Sequence, residues 1–433
     1  MPRGKGEGIT KIAVKGFKSI AEECTIDIRP LTILAGANSS GKSSIMQPLL
    51  MLKQTLEAPY DPGPLLIDGP NVQFTEAEQF LSTLPEKTKT DCFQIRIEAQ
   101  GFPLLDSATT VFRKGSSGIE IIKMITEVKL DTSLPPKSLT LYPEMPSEEI
   151  RSMADQNSTF KEMFKDLAVV KRSGCFLRLE SEDGYTFFRL AVNFESSILD
   201  TIYLPGLRGN PKRFYRLSST GPQYPGTFEN YVASIIHEWQ AKKDERLKTI
   251  ADALYTLGLT GQVGTKKIGD IGIELQVSRF LNDRKRETDL VSIADVGFGV
   301  SQVLPAIVAL IVARPSQLVY LEQPELHLHP RAQVALAQVL ADAAKRGVRV
   351  VAETHSSLLL LGIQTLVAEG DLPPELVKLH WFSRNKDGVT EVNSVDLDEA
   401  GAYGDWPMDF DDVDLKAQSR YIKAAQSRFV EGT

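Results

Sequence analysis

Cysteine is scarce in this 433-residue chain, and Cys24, Cys92 and Cys175 lie too far apart for a zinc or dithiol spacing. They read as free thiols of a reducing compartment, which excludes a disulfide-stapled scaffold. Long apolar runs are missing too. The longest, Val303 to Ala313, contains Pro305 and is too short to cross a bilayer. The first eight residues have no apolar core, so no secretory signal is read, and a soluble, cytoplasmic protein without membrane contact is expected. Net positive charge is also absent. With 49 Lys and Arg against 56 Asp and Glu, the formal charge is −7, and no global basic field exists to hold nucleic acid. Local basic patches remain, as in Lys212-Arg213 and Arg284-Lys285-Arg286, and each reads first as a solvated loop. No segment sustains an a/d heptad through three or four repeats, so no long coiled coil is expected. At 42% hydrophobic and 24% charged residues, the chain is nevertheless an ordinary folding sequence and not a disordered one.

What is present is a complete phosphate-binding loop. Gly36 to Ser43 reads Gly-Ala-Asn-Ser-Ser-Gly-Lys-Ser, the G-x-x-x-x-G-K-[ST] pattern. Leu31 to Ala35 before it reads as a short buried strand. Ser44 to Leu56 after it carries Ile45, Leu49, Leu50, Leu52 and Leu56 at helical spacing. Strand, turn and helix start together aim backbone N–H groups and the positive end of a helix dipole at an anion. Gly36, Asn38, Ser39, Ser40, Gly41 and Ser44 are therefore expected to wrap the phosphates of ATP. Lys42 would reach its β- and γ-phosphates, and Ser43 would place a hydroxyl on Mg²⁺.

The coarse organisation is α/β in four stretches. Residues 1–56 carry the loop, with Lys11 to Val14 and Cys24 to Ile28 reading as a hairpin. Residues 57–289 read as an insertion. Phe93 to Ala99, Ile119 to Ile125, Cys175 to Leu179 and Thr186 to Asn193 resemble strands of an antiparallel lobe, and Phe228 to Leu257 reads as helical. Residues 290–397 return to strand–helix–strand alternation, with Leu318 to Leu321 and Val348 to Ala352 as strands around a helix at Arg331 to Ala344. Residues 398–433 form an acidic and aromatic tail.

The third stretch supplies polar strand ends. Leu318-Val319-Tyr320-Leu321-Glu322 is an apolar strand ending in the kind of carboxylate a phosphate-bound Mg²⁺ needs, which makes Glu322 the expected metal ligand beside Ser43. Val350-Val351-Ala352-Glu353-Thr354-His355-Ser356 ends in a histidine placed to reach the γ-phosphate or the attacking water, while Glu353 is left without a role. Asp295 to Gln302 (Asp-Val-Gly-Phe-Gly-Val-Ser-Gln) precedes an apolar helix. It reads either as a second anion-binding end or as an ordinary start with Ser301 as cap and Gln302 in the first turn.

This order of parts resembles the ABC-type ATPase head shared by transporters, SMC and recombination-repair ATPases, and OLD-like ATPases. The resemblance implies a mixed sheet flanked by helices, here with a large inserted β/α lobe. It makes Gly36 to Ser43 the Walker A loop, Leu318 to Glu322 Walker B, Gly297 to Gln302 a degenerate signature and His355 the switch histidine. Gly297, Gly299, Ser301 and Gln302 of one copy would then face the γ-phosphate held by another, so that ATP glues a homodimer or a higher homo-oligomer. Glu-Gln-Pro-Glu-Leu-His-Leu-His-Pro (322–330) and the tail Gly-Asp-Trp-Pro-Met-Asp-Phe (404–410) are similar to a prokaryotic AAA-family ATPase group. Its relatives serve as ATPase subunits of anti-phage systems such as Septu and PARIS, beside a separate effector of nuclease or toxin type.

The sequence departs from that pattern where most such heads carry a catalytic glutamate. Gln323 holds the place, and a glutamine orients water without taking its proton. Either Glu325 substitutes, or hydrolysis is slow and the ATP-bound dimer long-lived. His327 and His329 alternate on one side of an extended run but lack a third metal ligand, and the OLD-like resemblance implies a place next to the dimer seam. Asp409, Asp411, Asp412 and Asp414 form one contiguous acidic run, read as a solvated or partner-binding face and not a nuclease centre. Phe17 and Lys18 are the candidates for adenine contact, Arg208 or Arg213 for a phosphate contact, and Gln73 or Gln79 for sensing the γ-phosphate. The expected function is an ATPase that scaffolds or controls an effector, with a DNA-binding repair ATPase and a transporter engine as the alternatives.

Overall fold

The computed structural model describes residues 8–404 apart from 84–88, 102–103, 117, 130–135, 156–157, 220, 280 and 282–288, together with 419, 420 and 422. The run Arg284-Lys285-Arg286, the four aspartates of the tail and nearly all of its Gly-Asp-Trp-Pro motif lie outside the described residues.

The chain opens with β1 (Gly8–Lys15) and β2 (Cys24–Asp27), an antiparallel pair, followed by β3 (Leu31–Gly36) and α1 (Lys42–Glu57). Then come β4 (Cys92–Gln100), β5 (Leu104–Lys114), β6 (Ile119–Lys129) and β7 (Lys137–Leu141). With β1 and β2 they make one antiparallel sheet in the order β2-β1-β4-β5-β6-β7. Helices α2 (Ser147–Asp155) and α3 (Ser158–Phe164) lead to a small sheet of β8 (Val169–Ser173), β9 (Phe176–Glu180) and β10 (Phe187–Phe188). Helix α4 (Val192–Leu199) follows, and then β11 (Ile202–Leu204) and β12 (Tyr215–Arg216). Helices α5 (Val232–Lys242) and α6 (Arg246–Thr256) precede β13 (Val263–Ile268), β14 (Gly272–Ser278) and β15 (Leu290–Ser292), which form a second small sheet with β12. The last stretch alternates α7 (Phe298–Val312), β16 (Leu318–Glu322), α8 (Pro330–Lys345), β17 (Arg349–Thr354) and α9 (Ser357–Ala368), and ends in the hairpin β18 (Val377–Arg384) and β19 (Thr390–Val395).

The sheet that matters for function runs β11-β16-β17-β3-β18-β19, parallel except for its last pair. Strand β3 is buried along its whole length, as a central parallel strand must be. Side chains alternate across a strand, so Leu34, Tyr320, Val351 and Phe382 face one core, under α1 and the antiparallel sheet. Leu31, Ile33, Val319, Leu321 and Val350 face the other, under α5 to α9. The carboxyl ends of β3, β16 and β17 meet at one edge, which is where open parallel sheets hold ligands.

The mixed α/β architecture with helix-flanked sheets agrees with the expectation, and among the described residues no helix exceeds the 16 residues of α1 and α8. Several local expectations need correction. Thr186 to Asn193 keeps only the two-residue β10 before α4 begins at Val192, because Phe194 and Ile198 bury on the core that also holds α1. Phe228 to Leu257 is helical as expected, but divided into α5 and α6. Lys243 adopts a left-handed φ of 52° and Asp244 N–H donates to Trp239 O, closing α5 as a C-terminal cap before α6 starts. The stretch 57–289 shares sheets with the rest of the chain. Its β11 is the edge of the head sheet, while β1 and β2 from the first stretch belong to the antiparallel sheet.

Candidate nucleotide-binding site

The phosphate loop is held by the hairpin that follows it in space. Gly36 has φ 142°, and a Cβ there would lie 2.2 Å from the carbonyl oxygen of Phe382 in β18. Gly41 has φ 109°, and a Cβ would lie 2.4 Å from Thr390 Oγ1 of β19. Both positions need glycine for backbone conformation and for space. Thr390 Oγ1 donates to Ser40 O at 2.8 Å and lies 2.7 Å from Ser19 Oγ, so β19 clamps the loop from outside. Helix α1 starts at Lys42 with no side chain capping it, which leaves its N-terminal dipole aimed into the cleft.

That cleft has a volume of about 600 Å³ and is lined by Asn38, Ser39, Ser40, Gly41, Lys42, Ser43 and Ser44. Gln323, Glu353 and His355 close it from the ends of β16 and β17, and Lys18, Ser19, Gln47 and Arg384 from elsewhere. Lys42 is buried, and its Nζ donates to Gly36 O at 3.1 Å and Ala37 O at 2.7 Å. Burial lowers its pKa, opposed by Glu353 and Glu325. His355 is half-buried, and burial together with the Lys42 charge lowers its pKa, so it stays neutral at pH 7. Gln323 sits in a left-handed turn with φ 43°, its N–H donating to Glu353 O at 2.8 Å. That strained turn sends the residue after Walker B into the cleft.

The carboxylates are arranged differently from expectation. Glu322 does not line the cleft. Its Oε1 accepts from Tyr203 at 3.1 Å and lies 3.3 Å from the Tyr320 hydroxyl, and its Oε2 accepts from Gly206 N–H at 3.1 Å. Ser43 instead donates to Glu353 Oε1 at 2.9 Å, and the Tyr320 hydroxyl donates to Glu353 Oε2 at 3.0 Å. Burial raises the pKa of Glu353, and the neighbouring Glu322 charge adds to that. Glu325 is 7% exposed and is held by the turn after β17. Its Oε1 accepts from the Thr354 hydroxyl at 2.6 Å and His355 N–H at 3.1 Å, while burial raises its pKa. It shapes the turn that carries His355, and it lies outside the cleft lining.

An ATP-bound Mg²⁺ asks for hard oxygen donors and few of them from protein. A serine hydroxyl and a carboxylate oxygen 2.9 Å apart at a helix N-terminus fit that need. Among the described residues, no group of three or more His, Cys, Asp or Glu could hold any other metal. His327 has its ring 5.9 Å from that of Phe298, and His329 caps α8 by accepting from Arg331 N–H.

Gly297, Gly299, Ser301 and Gln302 are not in the phosphate cleft. Helix α7 starts at Phe298 with Gly297 as its N-cap, so Ser301 is no cap. Its hydroxyl donates back to Phe298 O at 2.9 Å. Gln302 is 3% exposed, and its amide donates to the carbonyls of Arg208 and Gly209, so its side chain is engaged inside this chain. Arg208 is also spent inside the chain. Its guanidinium donates to Gln302 O at 2.8 Å and Glu322 O at 2.7 Å, and burial lowers its pKa to about 10. Arg213 pairs with Asp295 on the surface. Phe17 is fully buried among Phe74, Phe80 and Phe93 and cannot stack on a base, whereas Lys18 does line the cleft. Gln79 bonds locally to Thr75, and neither it nor Gln73 is in the cleft. Gln47, one turn into α1, is.

Two family models match consecutive stretches of the chain. One, described as an AAA ATPase domain, covers residues 8–200. The other, described as an AAA domain and named for a candidate AbiEii toxin of a type IV toxin–antitoxin system, covers residues 199–361. The chain carries an AAA-type P-loop ATPase domain. No curated protein matches it. Among solved structures, it is similar to an SMC head bound to the C-winged helix domain of ScpA, at 14% identity and TM-score 0.49, covering 91% of this chain and 99% of that one. The SMC head domain from Thermotoga maritima aligns at 12% identity and TM-score 0.38 over 90% and 99%. An SMC head with extended coiled coil from Pyrococcus furiosus, bound to the C-terminal domain of ScpA, aligns at 12% and 0.42 over 90% and 96%. At those scores the likeness carries no weight for the fold, which rests on its own sheet order. Among the described residues, no helix is long and apolar enough to cross a membrane.

Proposed function

We propose that this chain binds Mg²⁺·ATP at the Lys42–Ser43 corner, hydrolyses it slowly, and uses the bound nucleotide to hold two copies together. The observation that carries the reading is the meeting of Lys42, Ser43, Gln323, Glu353 and His355 in one cleft from three separate strand ends. Bound Mg²⁺ supplies charge neutralisation at the β- and γ-phosphates. Lys42 and the helix start hold those phosphates, and Gln323 with neutral His355 orients a water without removing its proton. The absence of a carboxylate at position 323, and the burial of Glu325 outside the cleft lining, support slow turnover.

The dimer reading is supported by the exposed start of α7. Phe298 is 51% exposed, and Gly297 has nothing within 4 Å of where a Cβ would stand, so this helix end is free to face a second copy. We assign the resulting assembly the task of controlling a separate effector in anti-phage defence. The net charge of −7 and the toxin–antitoxin association in one matched model's description support it over DNA clamping.

Turnover of wild type, Gln323→Glu and Glu325→Gln tests the catalytic half. The expected result is slow wild type, a gain of about 10²–10⁴ in Gln323→Glu, and little change beyond a stability loss in Glu325→Gln. Fast wild-type turnover abolished by Glu325→Gln alone would sink slow hydrolysis. DNA-stimulated turnover would point to the repair class.

A further inference from the structure

We propose that Glu353 of β17, not Glu322 of β16, is the carboxylate that completes the divalent-cation site with Ser43. This rests on the ATP-binding reading and goes beyond it by assigning the metal-side acid.

The two glutamates are register partners on neighbouring parallel strands, so their side chains leave the sheet on the same face, toward α1. They differ in what holds them. Glu322 has both oxygens engaged inside the chain, Oε1 by Tyr203 with Tyr320 close by, and Oε2 by a backbone N–H of Gly206. To reach Ser43 it would have to break these contacts and leave a buried phenol and a backbone donor unpaired, which is costly away from water. Glu353 is already turned to the loop. Tyr320 fixes Oε2 at 3.0 Å, which directs Oε1 onto Ser43 Oγ at 2.9 Å. Tyr320 and Tyr203 stack with centroids 5.5 Å apart, and burial raises the pKa of both, so they remain protonated donors.

Contact with Ser43 also decides which task Glu353 performs. In a phosphate loop the serine hydroxyl marks the metal side of the γ-phosphate, whereas the attacking water must approach opposite the leaving oxygen. Glu353 is thus placed to hold the cation, and Gln323 and His355 are left for the water. A cation there also relieves the repulsion between two carboxylates separated by a single phenol.

The test is metal binding and not turnover alone. Mn²⁺ is titrated into wild type, Glu353→Gln and Glu322→Gln in the presence of a fluorescent ATP analogue, with free Mn²⁺ followed by its EPR signal and the nucleotide by fluorescence. Wild type and Glu322→Gln should show the same Mn²⁺ affinity. Glu353→Gln should lose at least ten-fold in Mn²⁺ affinity while metal-free nucleotide binding stays within about two-fold. Retained Mn²⁺ affinity in Glu353→Gln overturns the proposal, whether the variant loses turnover, which would make Glu353 a general base, or not. Loss in Glu322→Gln alone restores the other acid. Wild type that binds no nucleotide analogue would instead remove the ATP reading itself. Thermal unfolding without ligand checks that each variant folds. If Glu353→Gln does not, Glu353→Asp, which keeps the charge and shortens the reach by one methylene, must show the same selective loss of Mn²⁺.

Discussion

Two helices of this chain, α1 and α7, begin with glycine near serine, and their surroundings could hardly differ more. The start of α1 is closed in. Gly36 and Gly41 are pressed by Phe382 and Thr390, Lys42 is buried, and the polar ends of β16 and β17 stand over it. The start of α7 is open. Gly297 touches nothing with its missing side chain and Phe298 projects outward, while Val300 and Gln302 on the inner side are bound into the interior. A glycine–serine helix start therefore has two meanings. One is a finished phosphate cradle, recognisable by the strands that buttress it. The other is an exposed end that needs a second surface before it can hold anything.

Substitutions that act at one start and spare the other sharpen this contrast. The largest effect falls on Lys42. Lys42→Ala should cost about 10²–10⁴ in nucleotide affinity, since two charge-assisted phosphate contacts of ~1.5–3 kcal/mol each are lost, and Gly297→Ala should leave single-chain affinity unchanged. A fluorescent-nucleotide titration of both variants checks this, and equal losses would break the contrast.

Acid is the next lever, because it reaches the buttress of α1 through a buried histidine. His380 in β18 is fully buried between Ser394 and the carbonyl of Asp27, and burial drops its pKa from 6.5 to about 4. The unfolded chain therefore binds the proton first. Stability contributed by neutral His380 is complete above pH 6.5 and is lost as pH falls toward 4, by about 3 kcal/mol. Urea unfolding at pH 7 and 4.5 should show a shallower pH dependence in His380→Asn than in wild type.

Smaller effects follow from the glycines and the surface. Gly41→Ala meets both a left-handed φ and Thr390, and should destabilise by about 2 kcal/mol. Gly297→Ala, at φ −59°, should cost under about 1 kcal/mol in the same denaturation assay. Arg213→Ala removes the exposed pair with Asp295 beside α7 and should leave the melting temperature essentially unchanged, which thermal melts can verify.

The closed site was legible in the sequence and its support was not. Gly36 to Ser43 announced itself because strand, glycines, lysine and helix follow one another without a gap. Strand β16, helix α8 and strand β17 were readable from apolar runs around an alanine-rich helix. The clamp at β18 and β19 was missed because Val377 to Arg384 mixes Lys, His and Ser with apolar residues and carries no motif. Three-residue β11 is too short to show a period at all. The exchange between Glu322 and Glu353 was invisible for another reason. Both are strand-end acids, and which one faces Ser43 depends on Tyr203 and Gly206, which arrive with β11 from the far side of the presumed insertion. Gln302 looked like a nucleotide contact because its neighbours are glycine and serine. Its burial follows from Arg208, which no local pattern connects to it.

The measurement that tests the account most directly is the solution mass of the full chain by light scattering, with and without Mg²⁺·ATP. One chain weighs 47.8 kDa. Pairing through bound nucleotide predicts that mass without nucleotide, about twice that mass with Mg²⁺·ATP, and no shift in Lys42→Ala. A wild-type protein that keeps a single-chain mass at saturating Mg²⁺·ATP would contradict it.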